Sequence, residues 1–319
     1  MTRILKRDQI ESLLASVDVV RDMEQAFVAY SQGKVEVPPV GELLFPSVNG
    51  EAHIKYGAVN GGEQFLVKVA TGFADNAAFG LPGFGGCMLL FSQRTGQLDA
   101  VLLEEGMLTN VRTAAAGAVA AKHLAPRNIS RIGICGTGVQ ARLQADYLRH
   151  VTSCRDLIVW GRDREKAKAA ARDIETLGFR ASAAADIGDI TSSCNLIVTV
   201  TAARAPILLS ADIRPGTHIT ALGSDTKEKI ELEPALVRRA DIVAVDSLSQ
   251  SSERGEVYQA FHARPADVRK LVELGDVISD ASKGRTSENE ISIADLTGVA
   301  VQDIMIAEAV YRHAVMLGS

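Results

Sequence analysis

The chain has 319 residues, enough for about two domains of ordinary size, and its 47% hydrophobic and 23% charged residues argue against a disordered or fibrous protein. Lys+Arg 34 against Asp+Glu 39 gives a formal charge of −5 with no basic run, which argues against nucleic-acid binding through a broad cationic face. The most apolar run, residues 114–121, falls far short of the roughly 18 residues of a membrane span, and the N-terminal MTRILKRDQIESLLA lacks the apolar core of a secretory signal.

Residues 8–32 place Ile10, Leu13, Leu14, Val17, Val20, Met23 and Phe27 at three- and four-residue steps. That spacing predicts one amphipathic helix, closed by Gly33 and Pro38-Pro39. Between 41 and 103 the texture changes to short β-like runs at 53–56, 65–70, 87–91 and 98–103, with turn signals such as Asn60-Gly61-Gly62 between them. A mostly antiparallel or mixed sheet is expected there. An Ala-rich helix over 109–124 ends at Pro126. From Asn128 onward, β-branched runs at 132–135, 157–160, 195–201, 218–222 and 242–245 alternate with helical patterns, as in a parallel, doubly wound sheet. The series is expected to end near Ile291, with a final amphipathic helix over 297–316. The polar stretches 247–253 and 282–290 read as solvated connections. The expected fold is α/β: a Rossmann-type doubly wound domain over 125–296, and a mixed α/β sheet domain over 1–124 plus 297–319. Cys87, Cys135, Cys154 and Cys194 show no CxxC spacing, and the six histidines form no HxxxH or HExxH pair. The cysteines read as small buried hydrophobes of a cytoplasmic protein, and no metal is expected.

Gly136-Thr137-Gly138-Val139-Gln140-Ala141 directly follows a predicted strand and opens a predicted helix, the context that gives a G-x-G-x-x-G/A pattern its meaning. Gly136 allows the tight turn, Gly138 the approach of a pyrophosphate, and Ala141 close helix–strand packing. The helix start then offers amides and a favourable dipole to phosphates. At the end of the next strand stands Val159-Trp160-Gly161-Arg162-Asp163. Arg162 suits a 2′-phosphate, which favours NADP over NAD. Asp163 is either a ribose-binding acid displaced by two places or the cap of the next helix.

Three further residues stand out. Arg112 opens an apolar helix, where the dipole favours anions, so a cation awaiting a carboxylate explains it better. Lys68 lies in a β-branched run; an edge-strand lysine facing water is the safer reading of that pattern, and a buried cation the sharper one. Asp225, in Ala221-Leu-Gly-Ser-Asp225, falls just past a strand of the doubly wound series, where ligands sit. It also reads as a turn or cap aspartate.

With these segments assembled, the chain resembles the ornithine cyclodeaminase/mu-crystallin family nearly end to end. The resemblance is carried by the Lys68 strand with Gly-Phe-Ala-Asp-Asn76, by LTNVRTAAAGAVAAKHLAP, GTGVQA, VTVTAARAPIL, GSDTKEKIEL and AVDSLSQSSERGE, and by GVAVQDIMIAEAV. It implies a homodimer built from the mixed-sheet domain, with the active site in the cleft between the domains. Lys68 and Arg112 would bind the carboxylate of a small imino or amino acid, Lys68 also counting as catalytic. Asp225 would be the acidic catalytic residue. Gly136, Thr137, Gly138, Val139, Gln140, Arg162, Thr201, Leu222 and Gly223, together with Arg112, would meet the cofactor. The activity implied is an NAD(P)H-dependent imine reductase or amino-acid dehydrogenase. The rivals are a cyclodeaminase, which releases ammonia without net cofactor change, and a non-catalytic binder of small ligands. Glu42 falls at or beside a position where cyclodeaminases carry Arg. An acidic end to the second strand is missing, and Ala294-Asp-Leu-Thr-Gly298 replaces an FKS-x-G or FDS-x-G segment. These departures weaken ornithine cyclisation in particular.

Overall fold

A computed structural model describes residues 2–261 and 271–318. The chain divides into two compact units, Met1–Arg112 with Val299–Ser319, and Thr113–Gly298.

The first unit begins with β1 (Arg3–Lys6), α1 (Arg7–Leu14) and α2 (Val19–Ser31). The single helix expected over 8–32 is therefore two. Asp18 accepts a hydrogen bond from the Arg21 N–H and caps the second, so the apolar spacing runs on across a break in the backbone. Then come β2 (Val35–Glu36), β3 (Gly41–Phe45), β4 (Gly50–Val59), β5 (Gln64–Phe73), β6 (Phe84–Ser92) and β7 (Leu98–Leu103). They form one sheet in the order β1-β7-β6-β5-β4-β2, with β3 on β4. Neighbours are antiparallel except β1 and β7, so the sheet is mixed as expected. Strand β1 escaped the sequence reading because RILK buries Leu5 alone.

Helix α3 (Met107–Leu124) leads into the second unit: β8 (Ile132–Cys135), α4 (Val139–Leu148), β9 (Asp156–Trp160), α5 (Arg164–Glu175), β10 (Arg180–Ala183), α6 (Ile187–Ser193), β11 (Leu196–Thr199), β12 (Arg204–Leu208), β13 (His218–Ala221), β14 (Ile230–Leu232), α7 (Pro234–Arg239), β15 (Ile242–Val245), α8 (Leu248–Ser251), α9 (Gly255–Phe261), β16 (Leu271–Glu273), α10 (Leu274–Ser279) and β17 (Ser292–Asp295). Its main sheet runs β10-β9-β8-β11-β13-β17-β15-β16, all parallel. Strands β8, β11, β13, β15 and β17 are buried along their whole length, as expected of a parallel sheet covered on both faces. The doubly wound series runs on a few residues past Ile291: SIAD is a strand lodged between β13 and β15. Its four residues, two of them polar, gave no β-branched run to read. The stretch 247–253 is not simply solvated either. Ser247 and Ser251 are buried, and Ser247 caps α8 by accepting from the Gln250 N–H. Helix α11 (Ala300–Leu317) then returns to the first unit, where it packs on α2, β4 and β5.

Candidate active site

Strand order in the second unit reverses between β8, flanked by β9, and β11, which leads toward β13. Ligands of open α/β sheets bind outside the carboxyl ends at such a point. A cavity of about 720 Å³ lies there, lined by Gly136, Thr137, Gly138, Arg162, Asp163, Lys166, Thr201 and Arg204 among others. Gly136 has φ +137°, and a Cβ there would stand 2.7 Å from Val200 Cγ2, so only glycine suits the turn. Gly138 caps α4 without a side-chain acceptor, and open space lies where its Cβ would be. That open cradle at a helix start fits a pyrophosphate, and Ala141 behind it is fully buried.

Five expected cofactor residues, Gly136, Thr137, Gly138, Arg162 and Thr201, line this cavity, whereas Val139, Gln140, Leu222 and Gly223 are not among its walls. Arg112 lies in the other unit. Asp163 is the cap of α5: its Oδ1 accepts from the Glu165 and Lys166 N–H groups at 3.0 and 3.1 Å.

Behind the cavity stands Glu231 on β14, which the sequence reading passed over. Its Oε1 accepts from the Thr201 N–H (2.6 Å) and hydroxyl (2.7 Å), and its Oε2 from the Thr199 hydroxyl (2.7 Å) and the Gly223 N–H (2.9 Å). One side chain thus ties the loop after β11 to the loop after β13. Burial pushes its carboxyl up, and the donors pull it back. Glu256 supports it by accepting from the Glu231 N–H (2.8 Å), and Asp295 accepts from the Val257 N–H (2.8 Å) next along α9. Burial pushes Glu256 well up, with Asp295 and Glu231 adding to the effect.

Asp225 sits in the turn after β13, neither capping a helix nor buried. Its side chain is 44% exposed, and its Oδ1 lies 2.7 Å from Lys229 Nζ.

Within the first unit, Lys68 is not an edge lysine facing water. It stands on β5, between β4 and β6, and is 1% exposed. Its Nζ is 2.8 Å from Asp303 Oδ1 and 3.4 Å from Thr109 Oγ1. The same Asp303 oxygen accepts from Arg112 Nε at 3.0 Å, and Gln302 Oε1 accepts from Arg112 Nη1 at 2.9 Å. The sheet register sets Lys55 directly opposite Lys68 and Glu42 opposite His53, so all four side chains share one face. Glu42 therefore does not point away; its Oε1 is 3.6 Å from His53 Nε2. Burial pushes the Lys68 ammonium down, and Asp303 opposes this. Burial alone would raise Asp303, but Lys68, Arg112 and Lys55 hold its carboxyl below the usual range. Glu104 is raised by burial, and its Oε2 accepts from the Leu108 N–H at the start of α3. Asp303 and Glu104 escaped the sequence reading. The available signal was Gln302-Asp303 inside the mostly apolar AVQDIMIAEAV.

A mixed sheet unit with a buried cation pair, joined in one chain to a doubly wound unit with a glycine loop at a helix start, defines a dinucleotide-binding class of protein. The model of the ornithine cyclodeaminase/mu-crystallin family matches residues 1–317, and the chain belongs to that family. It is 41% identical to the uncharacterized cyclodeaminase y4tK of Sinorhizobium fredii, over 98% of this chain and 96% of the relative. Among solved structures it is similar to an archaeal alanine dehydrogenase dimer with bound NAD (32% identity, TM-score 0.91, 100% of this chain and 97% of the other). It is also similar to the Delta(1)-pyrroline-2-carboxylate reductase of Thermococcus litoralis in complex with NADH and L-proline (28%, TM-score 0.91, 99% and 98%).

Proposed function

We propose that this protein is an NAD(P)H-dependent oxidoreductase acting on the C=N or CH–NH bond of a small imino or amino acid. The observation that carries the reading is the buried Lys68–Arg112 pair. Asp303 offsets only one of the two buried positive charges, and the net charge left over is costly unless a further carboxylate is to be bound there. A bound nicotinamide would supply the hydride chemistry, and two similar proteins were solved with NAD or NADH bound. Gly136, Gly138 and the start of α4 would hold its pyrophosphate. Lys68 and Arg112 bind and orient the substrate carboxylate, with the Arg112 fork offering Nη2, which its bonds to Asp303 and Gln302 do not use. Asp225 exchanges a proton with the substrate nitrogen.

The cofactor favoured is NADP. Asp163 is committed to capping α5, while Arg162, Lys166 and Arg204 line the cavity and suit a 2′-phosphate. The assembly favoured is a homodimer through the first unit, whose strand β3 exposes Leu43, Leu44 and Phe45 beside one another. Light scattering during gel filtration reads that directly. Cyclodeamination is the second reading. The Glu42 carboxylate, on the face that carries Lys55 and Lys68, suits the distal amine of a diamino acid, and the relative y4tK bears that activity in its name.

The test follows nicotinamide absorbance with NADPH and NADH against pyrroline- and piperideine-2-carboxylate and against 2-oxo acids with ammonia. Ammonia release from ornithine and lysine is assayed in parallel. Cofactor oxidation supports the reductase, and ammonia without net oxidation supports the cyclodeaminase. Silence in both assays removes this reading in favour of a ligand binder.

A further inference from the structure

We propose that Asp303 is the positioning residue of the cation pair: a single carboxylate oxygen, Oδ1, holds the Lys68 ammonium and the Arg112 guanidinium side by side as one preformed unit. The inference deepens the carboxylate-binding reading given above and rests on it for its functional meaning, though not for its geometry.

Lys68 Nζ and Arg112 Nε meet the same atom at 2.8 and 3.0 Å, while Asp303 Oδ2 is buried and has no hydrogen-bond partner among the described residues. The ionic grip thus falls on one oxygen, which fixes the distance between the two cations more tightly than two separate pairs would. Asp303 itself is 0% exposed and stands in the first turn of α11, a helix packed on β4 and β5, so its position is set by rigid elements. Gln302, its neighbour, orients the guanidinium through Nη1. The other charged groups facing Lys68 are Lys55 from β4, Glu104 from the segment before α3 and Arg112 from α3; on β6, opposite Lys68, stands the apolar Met88. Lys55 and Arg112 both repel the ammonium, and Glu104 is itself raised by burial. Asp303 is the carboxylate in contact with both cations. Without it, Lys68 would release its proton more readily and the guanidinium would lose its inner anchor.

The experiment is a pH titration of Lys68 by NMR on protein carrying 13C-labelled lysine, with the signal assigned by Lys68→Arg. In Asp303→Asn the protonation constant of Lys68 is expected to fall by at least about tenfold, one pH unit, while Asp303→Glu restores most of the loss. In Arg112→Met it is expected to rise, because Asp303 then serves one cation and a repelling charge is gone. The Arg112→Met arm keeps the test decisive should Asp303→Asn not fold. A Lys68 titration indifferent to both variants overturns the proposal. KM and kcat for pyrroline-2-carboxylate are measured on the same proteins. A raised KM at high pH in Asp303→Asn, relieved at low pH with kcat little changed, supports positioning. If the titration moves as stated but Arg112→Met leaves KM unaltered, Asp303 holds the pair and it is the carboxylate-binding reading that fails.

Discussion

Replacing Asp295 by Asn asks whether the acids behind the dinucleotide loops are held neutral. Asp295 ends β17 fully buried, its Oδ2 accepting from the Val257 N–H and its Oδ1 without a partner among the described residues. Burial pushes its carboxyl up to about 7; the Val257 and Glu256 N–H groups oppose this, and Asp246 and Glu231 add to it. Such an acid keeps its proton in the fold where the unfolded chain has already released it. Between about pH 4 and 7 the folded state therefore binds more protons, and stability falls as pH rises, with the loss complete above 7. The gap between about 7 and the ordinary 3.8, at about 1.4 kcal/mol per pH unit, bounds the effect at about 4 kcal/mol. Asparagine carries no charge and keeps an oxygen for Val257. Urea unfolding at pH 4.5, 6, 7 and 8 should show the two proteins closest at low pH and Asp295→Asn the more stable at pH 8. Glu256 titrates in the same direction, so the difference between the curves is what matters, not the wild-type slope. Parallel curves would refute the reasoning.

Glu231→Gln replaces an oxygen that accepts two bonds with a donor, at an expected cost of about 2–4 kcal/mol in unfolding free energy. Because Thr201 lines the dinucleotide cavity, NADH affinity measured by fluorescence should fall as well; unchanged affinity would detach Glu231 from the cofactor loops. Arg162→Ala should weaken NADPH about tenfold more than NADH, and equal losses in a binding titration would end the case for a 2′-phosphate. Asp225→Asn should abolish turnover while leaving cofactor affinity nearly intact, and steady-state rates close to wild type would remove its proposed role.

The dinucleotide loop was legible because its requirement is local. A turn at φ +137° demands glycine at 136, and a helix start left open for a pyrophosphate suits glycine two places on, so Gly136 and Gly138 announce themselves. The parallel strands were legible wherever β-branched runs were unbroken, and β17 was missed because Ser292-Ile-Ala-Asp295 owes its place to neighbours far away in sequence. Lys68 shows the same limit: its strand was visible, but whether it met water depended on β4, β6 and α11. Asp303 lies 191 residues from Arg112 and 235 from Lys68, so no spacing rule could join the three. Asp225 inverts the lesson. Its position after a strand was readable, yet its exposure and its Lys229 partner were not.

The two halves of the first unit are separated in the chain by the whole of the second. During synthesis the sheet strands and Arg112 leave the ribosome first, and Asp303 follows 191 residues later, which at about 5–20 residues per second is about 10–40 s. For that interval the nascent sheet carries Lys55, Lys68 and Arg112 without the carboxylate that contacts Lys68 and Arg112, and without α11 to cover them. The unit is thus completed last although it starts first, and a chain stopped before residue 303 would leave its cations facing solvent on an unfinished surface.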